Sequence, residues 1–282
     1  MTLRVLTSVA DLRDYLSDQP QVALVPTMGN LHEGHLELVR TARQHAACVV
    51  VSIFVNPLQF GAGEDFEQYP RTLAADCNRL AGLADAVFAP SNAEMYPQPQ
   101  TLRVMPPPIA DDLCGAARPG HFAGVATVVL KLFNLVQPQV AVFGSKDYQQ
   151  LHIIRQLVAQ FNLPIRLIGV PTCRAADGLA LSSRNQYLTA AERSEAMRLY
   201  QTLTEIRQAL AAGERDFPKL ERQAQAHLSE HGWQVDYVSI RAQTTLLPPD
   251  SDTAALVILA AARLGSTRLI DNLEATCPVR AL

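Results

Sequence analysis

Residues 21–54 read QVALVPTMGNLHEGHLELVRTARQHAACVVVSIF, and this stretch decides the fold. It opens on a short apolar run from Gln21 to Pro26 and turns through Pro26-Thr27-Met28-Gly29. Apolar residues then fall at Leu31, Leu36, Leu38, Val39 and Ala42, a helical spacing that predicts a helix over 31–45. A β-branched run over 46–54 follows, broken by Asn56-Pro57. Continuous apolar strands separated by helices predict a parallel sheet covered on both faces.

The same grammar continues outward. Helices are expected over about 71–82, 124–136 and 148–161, and strands over 86–89, 140–143 and 165–170. Between them, residues 97–122 hold Pro97, Pro99, Pro106, Pro107, Pro108 and Pro119, and read as a long irregular excursion. Beyond Thr189 the order changes to two helices, 190–211 and 217–231, and then three strands, 235–241, 255–262 and 267–270. Thr189 and Glu192 form a capping box for the first of these helices. The expected architecture is α/β: a Rossmann-like parallel-sheet domain over 1–175, then a smaller α+β domain over 176–282.

Composition excludes other classes. With 48% hydrophobic and 18% charged residues, the 282-residue chain has the make-up of a globular protein of about two domains. A formal net charge of −3 gives no basic excess for nucleic acid or an anionic membrane. The longest apolar runs, 46–55 and 254–262, fall short of the ~20 residues of a membrane helix, and the N-terminus predicts no signal peptide. Five scattered cysteines without a Cys-x-x-Cys suit reduced thiols in the cytoplasm better than a disulfide frame or zinc site.

The chemistry gathers at strand ends. Gly29 permits a tight turn, and His32 and His35 share a face at the start of a helix, with no side chain on Gly34 between them. A helix N-terminus with two imidazoles suits a phosphate. A zinc-protease helix would need His-Glu-x-x-His, one residue longer than the spacing here. Phe143-Gly144-Ser145-Lys146-Asp147 lies at another strand end, with Lys146 offering a point charge and Asp147 a partner for a ribose hydroxyl. Leu181-Ser182-Ser183-Arg184, near the domain boundary, has the hydroxyls and guanidinium of a mobile phosphate clamp. Alone, the first of these two also reads as a solvated loop Lys-Asp pair and the second as a serine-rich linker. His227 and His231, four apart, read as a solvated helix face rather than a metal site, and His121 beside Arg118 is a further site candidate.

In order and spacing these segments resemble the pantothenate synthetases, ATP-dependent ligases of the His-x-Gly-His nucleotidylyltransferase superfamily. The likeness extends over 52–60, 69–72, 118–122, 131–138, 177–185 and 268–272. It implies that (R)-pantoate and ATP form pantoyl adenylate, which β-alanine converts to pantothenate and AMP. By position it implies that Met28, Gly29, Asn30, Leu31, His32, Glu33, Gly34 and His35 line the ATP site, with His35 as proton donor. Gly144, Ser145, Lys146 and Asp147 would hold ribose and phosphates, Lys146 reaching the α-phosphate. Cys173, Leu181, Ser182, Ser183 and Arg184 would complete the nucleotide pocket, in a cleft between the domains. Catalysis would fall to His35, His32 and Lys146. Gln59 and Gln150 would grip pantoate, with Asn56 joining them, and Gln59 would also meet β-alanine; an amide offers both donors and an acceptor to such ligands.

Ser145 and Cys114 depart from commonly acidic family positions. Mg²⁺ is expected with ATP, carried by substrate phosphates rather than a protein-bound metal site. A homodimer is implied by the resemblance alone. Two other readings remain open: a nucleotidylyltransferase acting on a phosphorylated acceptor, which calls for more basic residues in the substrate pocket, and a non-catalytic nucleotide-binding protein.

Overall fold

The computed structural model describes residues 2–278. Its internal contacts divide the chain into two compact units, after Thr172.

The first unit runs β1 (Arg4–Leu6), α1 (Val9–Leu16), β2 (Val22–Thr27), α2 (Glu33–Arg43), β3 (Cys48–Ile53), α3 (Leu73–Leu80) and β4 (Ala86–Phe88). It continues with α4 (Asn92–Met95), α5 (Cys114–Ala117), α6 (His121–Val136), β5 (Val140–Gly144), α7 (Tyr148–Gln160) and β6 (Arg166–Val170). The six strands form one parallel sheet in the order β1-β4-β3-β2-β5-β6. Alternate residues of the valine-rich strands enter opposite cores. Leu24, Val50 and Phe143 pack with Val125, Val129 and Phe133 of α6, whereas Val25, Val51 and Val142 pack with Leu36 and Val39 of α2. Each such buried side chain contributes about 1.5–3 kcal/mol. Burial on both faces is why these strands read as unbroken apolar runs.

Two elements precede the sequence-read pattern: edge strand β1, whose Val5 is 48% exposed, and α1, capped by Ser8. The excursion over 97–122 is more ordered than expected. It holds a 3₁₀ turn at Pro108–Asp111 and the short α5, and α6 starts at His121, three residues early. A Cβ on Gly115 would stand 1.6 Å from the Ala110 carbonyl oxygen, so this close turn requires glycine.

The second unit contains α8 (Ala190–Glu195), α9 (Met197–Ala211), α10 (Phe217–Glu230), β7 (Gln234–Ala242), β8 (Ala255–Leu264) and β9 (Thr267–Thr276). The strands form an antiparallel sheet in that order. Leu199, Leu203, Ile206 and Leu210 of α9 and Leu220 and Leu228 of α10 pack with Val238, Ile258 and Ala260. The Thr189–Glu192 capping box forms, Glu192 accepting the Thr189 N–H at 2.8 Å. The helix expected over 190–211 is interrupted at Ala196. Strand β9 runs six residues beyond its expected end at Ile270, because the polar Asp271 and Asn272 that mask its pattern are buried within it.

Candidate active site

Strands β2 and β5 are neighbours at the point where the order of connection reverses: β3 and β4 lie on one side of β2, β5 and β6 on the other. Ligands of open α/β sheets bind at the carboxyl ends of strands at such a point. The turn carrying His32 and His35 leaves β2, and the Ser145–Asp147 turn leaves β5.

The β2–α2 turn is held from beneath. Gly29 and Asn30 take positive φ angles of 83° and 51°. A Cβ on Gly29 would lie 3.0 Å from Ile53 Cγ2 and 3.1 Å from an Asp76 oxygen. Asp76, on α3 and 2% exposed, accepts the Asn30 and Leu31 N–H groups at 3.0 and 2.8 Å and the Thr72 hydroxyl at 3.1 Å. Sequence reading missed Asp76, because nothing in its own helix marks it. Within Met28–His35, Leu31 packs into the core and Glu33 pairs with Arg40, so these two offer a ligand only their backbone.

The two histidines cap α2 reciprocally. The His32 N–H donates to His35 Nδ1, and the Gly34 N–H donates to His32 Nδ1, both at 3.2 Å. The ring centroids are 4.0 Å apart. With Nδ1 accepting, each neutral ring carries its hydrogen on Nε2. Burial, then His32 and Lys146, push the His35 pKa down to about 3; burial, then Lys146, push that of His32 down to about 4. Both rings are therefore neutral at pH 7. What His35 offers is a positioned Nε2–H hydrogen bond rather than an imidazolium proton. Two N–H donors, the helix N-terminus and the Lys146 ammonium together favour negative charge on a phosphate.

The amide residues expected to meet substrate separate into two kinds. Gln59 sits in a 3₁₀ turn, Pro57–Gln59, capped by Asn56. Its Nε2 donates to Met28 Sδ at 3.2 Å, which joins this turn to the histidine loop. Asn56, 1% exposed, is saturated: Nδ2 donates to Gln59 Oε1 (3.0 Å) and the Gly124 carbonyl (3.2 Å), while Oδ1 accepts from the Tyr96 hydroxyl (2.8 Å) and the Leu58 N–H (3.3 Å). It thus orients Gln59 and has no polar atom left for a ligand. A Cβ on Gly124 would meet the Leu58 carbonyl oxygen at 2.1 Å, so glycine lets α6 press against the turn. At the start of α7, buried Gln149 binds Cys114 N–H and the Ile109 and Asp112 carbonyls. Its neighbour Gln150 is half-buried, and no side-chain bond ties up its amide among the described residues.

The remaining residues lie in the second unit. Cys173 and Leu181 end a hairpin closed by an Arg174–Ala180 bridge and a Leu181 N–H to Cys173 carbonyl bond of 2.9 Å. Ser182 caps the 3₁₀ turn Ser183–Tyr187 by accepting the Arg184 N–H at 3.3 Å. Arg174 fixes the hairpin. It donates to both oxygens of Asp271 (2.6 and 2.8 Å) and to the carbonyls of Gly178 (3.0 Å) and Asn272 (3.1 Å), with its Cζ 4.1 Å from the Tyr200 ring centroid. The rings of His227 on α10 and His231 at its C-cap lie tilted with centroids 4.7 Å apart, and no group of three metal-ligating side chains forms among the described residues.

Comparison with known proteins shows the family. A family model described as pantoate-beta-alanine ligase matches residues 4–274. The pantothenate synthetase of Methylobacillus flagellatus is 61% identical, over 97% of this chain and 99% of that protein, and that of Thiobacillus denitrificans is 60% identical, over 97% and 98%. The crystal structure of the Thermus thermophilus pantothenate synthetase superposes with a TM-score of 0.91 at 46% identity, covering 96% of this chain and 98% of that one. A Francisella tularensis pantoate-beta-alanine ligase, crystallised with beta-gamma ATP and beta-alanine, gives 0.80 at 34% identity, covering 96% and 97%. The chain belongs to the pantoate–β-alanine ligase family.

Proposed function

We infer that the chain is an ATP-dependent pantoate–β-alanine ligase. The (R)-pantoate carboxylate attacks the α-phosphorus of ATP, giving pantoyl adenylate and pyrophosphate; the β-alanine amine then attacks the acyl carbon and AMP leaves. One observation carries this reading: the Gln59–Met28 contact sets a neutral amide against the phosphate-binding turn. A phosphorylated acceptor would call for a cation there, and Arg118, which reaches the Gln59 carbonyl, is committed to Glu64. In this reading His32, His35 and Lys146 stabilise charge on the transferring phosphoryl group, and Gln59 and Gln150 hold pantoate, Gln59 also meeting β-alanine. Residues 144–147, Cys173 and 181–184 contribute to nucleotide binding, and the second unit acts as a lid. Mg²⁺ would arrive on the phosphates, consistent with its preference for few protein ligands. Incubation with ATP, Mg²⁺, pantoate and β-alanine should yield AMP and pantothenate in equal amounts; no AMP would refute the ligase.

The adjacent glutamines give a paired expectation. Gln150→Ala raises the KM for pantoate by about tenfold, the effect of a lost hydrogen bond to a charged group, and leaves stability unchanged. Gln149→Ala lowers the melting temperature instead, since the buried amide ties α7 to the 109–114 segment through three hydrogen bonds. Unchanged pantoate kinetics in Gln150→Ala would refute its role.

The reading also includes a cytoplasmic location, supported by five free cysteines, and a homodimer. Leu102 and Met105, 83% and 93% exposed in the first unit, supply apolar surface for a second copy. Light scattering should give twice the 30.8 kDa chain mass, and Met105→Asp should lower it towards a monomer; a monomeric wild-type chain would end that part of the reading.

A further inference from the structure

Gln59 is held at both ends: its side-chain amide meets Met28, and its backbone carbonyl is held by His121, the site candidate whose role the family resemblance leaves open. His121 Nδ1 is 2.8 Å from the Gln59 carbonyl oxygen, and His121 Nε2 is 3.0 Å from Arg118 Nη1. A guanidinium only donates, so Nε2 accepts and the ring hydrogen sits on Nδ1, aimed at that carbonyl. Arg118 is itself fixed: its Nε and Nη2 donate to the two Glu64 oxygens at 2.7 and 2.6 Å, and Nη2 reaches the Gln59 carbonyl at 3.4 Å. Glu64, Arg118 and His121 thus form a chain ending on the peptide whose side chain meets Met28. Burial, then Arg118, lower the His121 pKa to about 4, so the ring stays neutral and this tautomer persists at pH 7. The close passage of Gly124 holds the first turn of α6, and with it His121, against the 57–59 turn.

We propose that His121 is a positioning residue for Gln59, its Nδ1–H fixing the peptide that aims the Gln59 amide at the two acid substrates, with the Glu64–Arg118 pair setting its tautomer. The proposal rests on the reading of Gln59 as the pantoate and β-alanine contact. Two conservative variants separate the roles of the ring nitrogens. His121→Asn keeps a donor in the place of Nδ1; His121→Gln keeps an acceptor in the place of Nε2 and leaves the carbonyl only its 3.4 Å contact with Arg118.

In steady-state kinetics, His121→Gln should raise the KM values for pantoate and β-alanine about tenfold, as expected for a carbonyl that loses its shorter hydrogen bond, with that for ATP unchanged. His121→Asn should restore most of that loss. Equal effects of the two variants, or a parallel rise in all three KM values, would overturn the proposal. If either variant does not fold, Arg118→Gln takes its place, since it removes the charged donor that sets the tautomer. There the same two KM values should rise and that for ATP should not; no change in either overturns the proposal too. A wild-type chain that makes no AMP would instead fault the ligase reading.

Discussion

Replacing His35 with alanine should lower kcat by on the order of 10² to 10³, the loss measured when one preorganised donor to developing charge is removed. The expectation follows from the capping geometry. Because His35 Nδ1 is committed to the His32 N–H, the only hydrogen the ring can present to a phosphate is on Nε2. His35→Gln, which can place an amide N–H nearby, should recover part of the rate. The pH profile separates hydrogen bonding from proton transfer. With pKa values near 3 and 4 for His35 and His32, kcat/KM for ATP, which reports the free enzyme, should show no imidazole limb between pH 6 and 8. A limb centred near 6.5 in the wild type that vanishes in His35→Ala would show that His35 works as an imidazolium acid. A near-normal rate in His35→Ala would make the histidine structural.

Asp271→Ala should destabilise the second unit by about 3–5 kcal/mol, the cost of leaving one member of a buried ion pair without its partner. The Asp271 side chain is 3% exposed and that of Arg174 16%, so water cannot take over the contact. Losing the carboxylate strands a guanidinium that also holds the Gly178 and Asn272 carbonyls, and so loosens the hairpin leading into Ser182 and Arg184. Chemical denaturation measures the first effect, and the KM for ATP reports the second. A loss below about 1 kcal/mol, the range of an exposed pair, would show that the site is solvated in solution. Replacing both partners, as Arg174→Met with Asp271→Leu, should cost less than Asp271→Ala alone, because no charge is then left buried.

Much of the first unit was legible in sequence because its strands are buried on both faces and its two-histidine turn is local. The runs at 22–27 and 48–53 have no polar residue to obscure them except Thr27 and Ser52, and His32 and His35 lie within one turn. What stayed hidden is held over long separations. Asp76 closes on Asn30 and Leu31 from α3, and Glu64 and Arg118 are 54 residues apart. No periodicity carries such contacts. The short β1 shows too few residues to make a pattern, and Asp271 conceals the end of β9 because its charge is cancelled by a residue 97 positions earlier. Asn56 was placed near the substrate from its position, and only the structure shows its amide fully engaged.

That amide also bears on how the chain ages. Spontaneous deamidation would turn the Asn56 nitrogen into an oxygen, setting it against the Gln59 and Gly124 oxygens it now serves as donor. The usual route runs through a cyclic imide, formed when the next residue's backbone nitrogen attacks the side-chain carbonyl. The next residue is Pro57, whose nitrogen carries no hydrogen and cannot close that ring. The proline that starts the 57–59 turn therefore also shields its key amide from slow chemical decay.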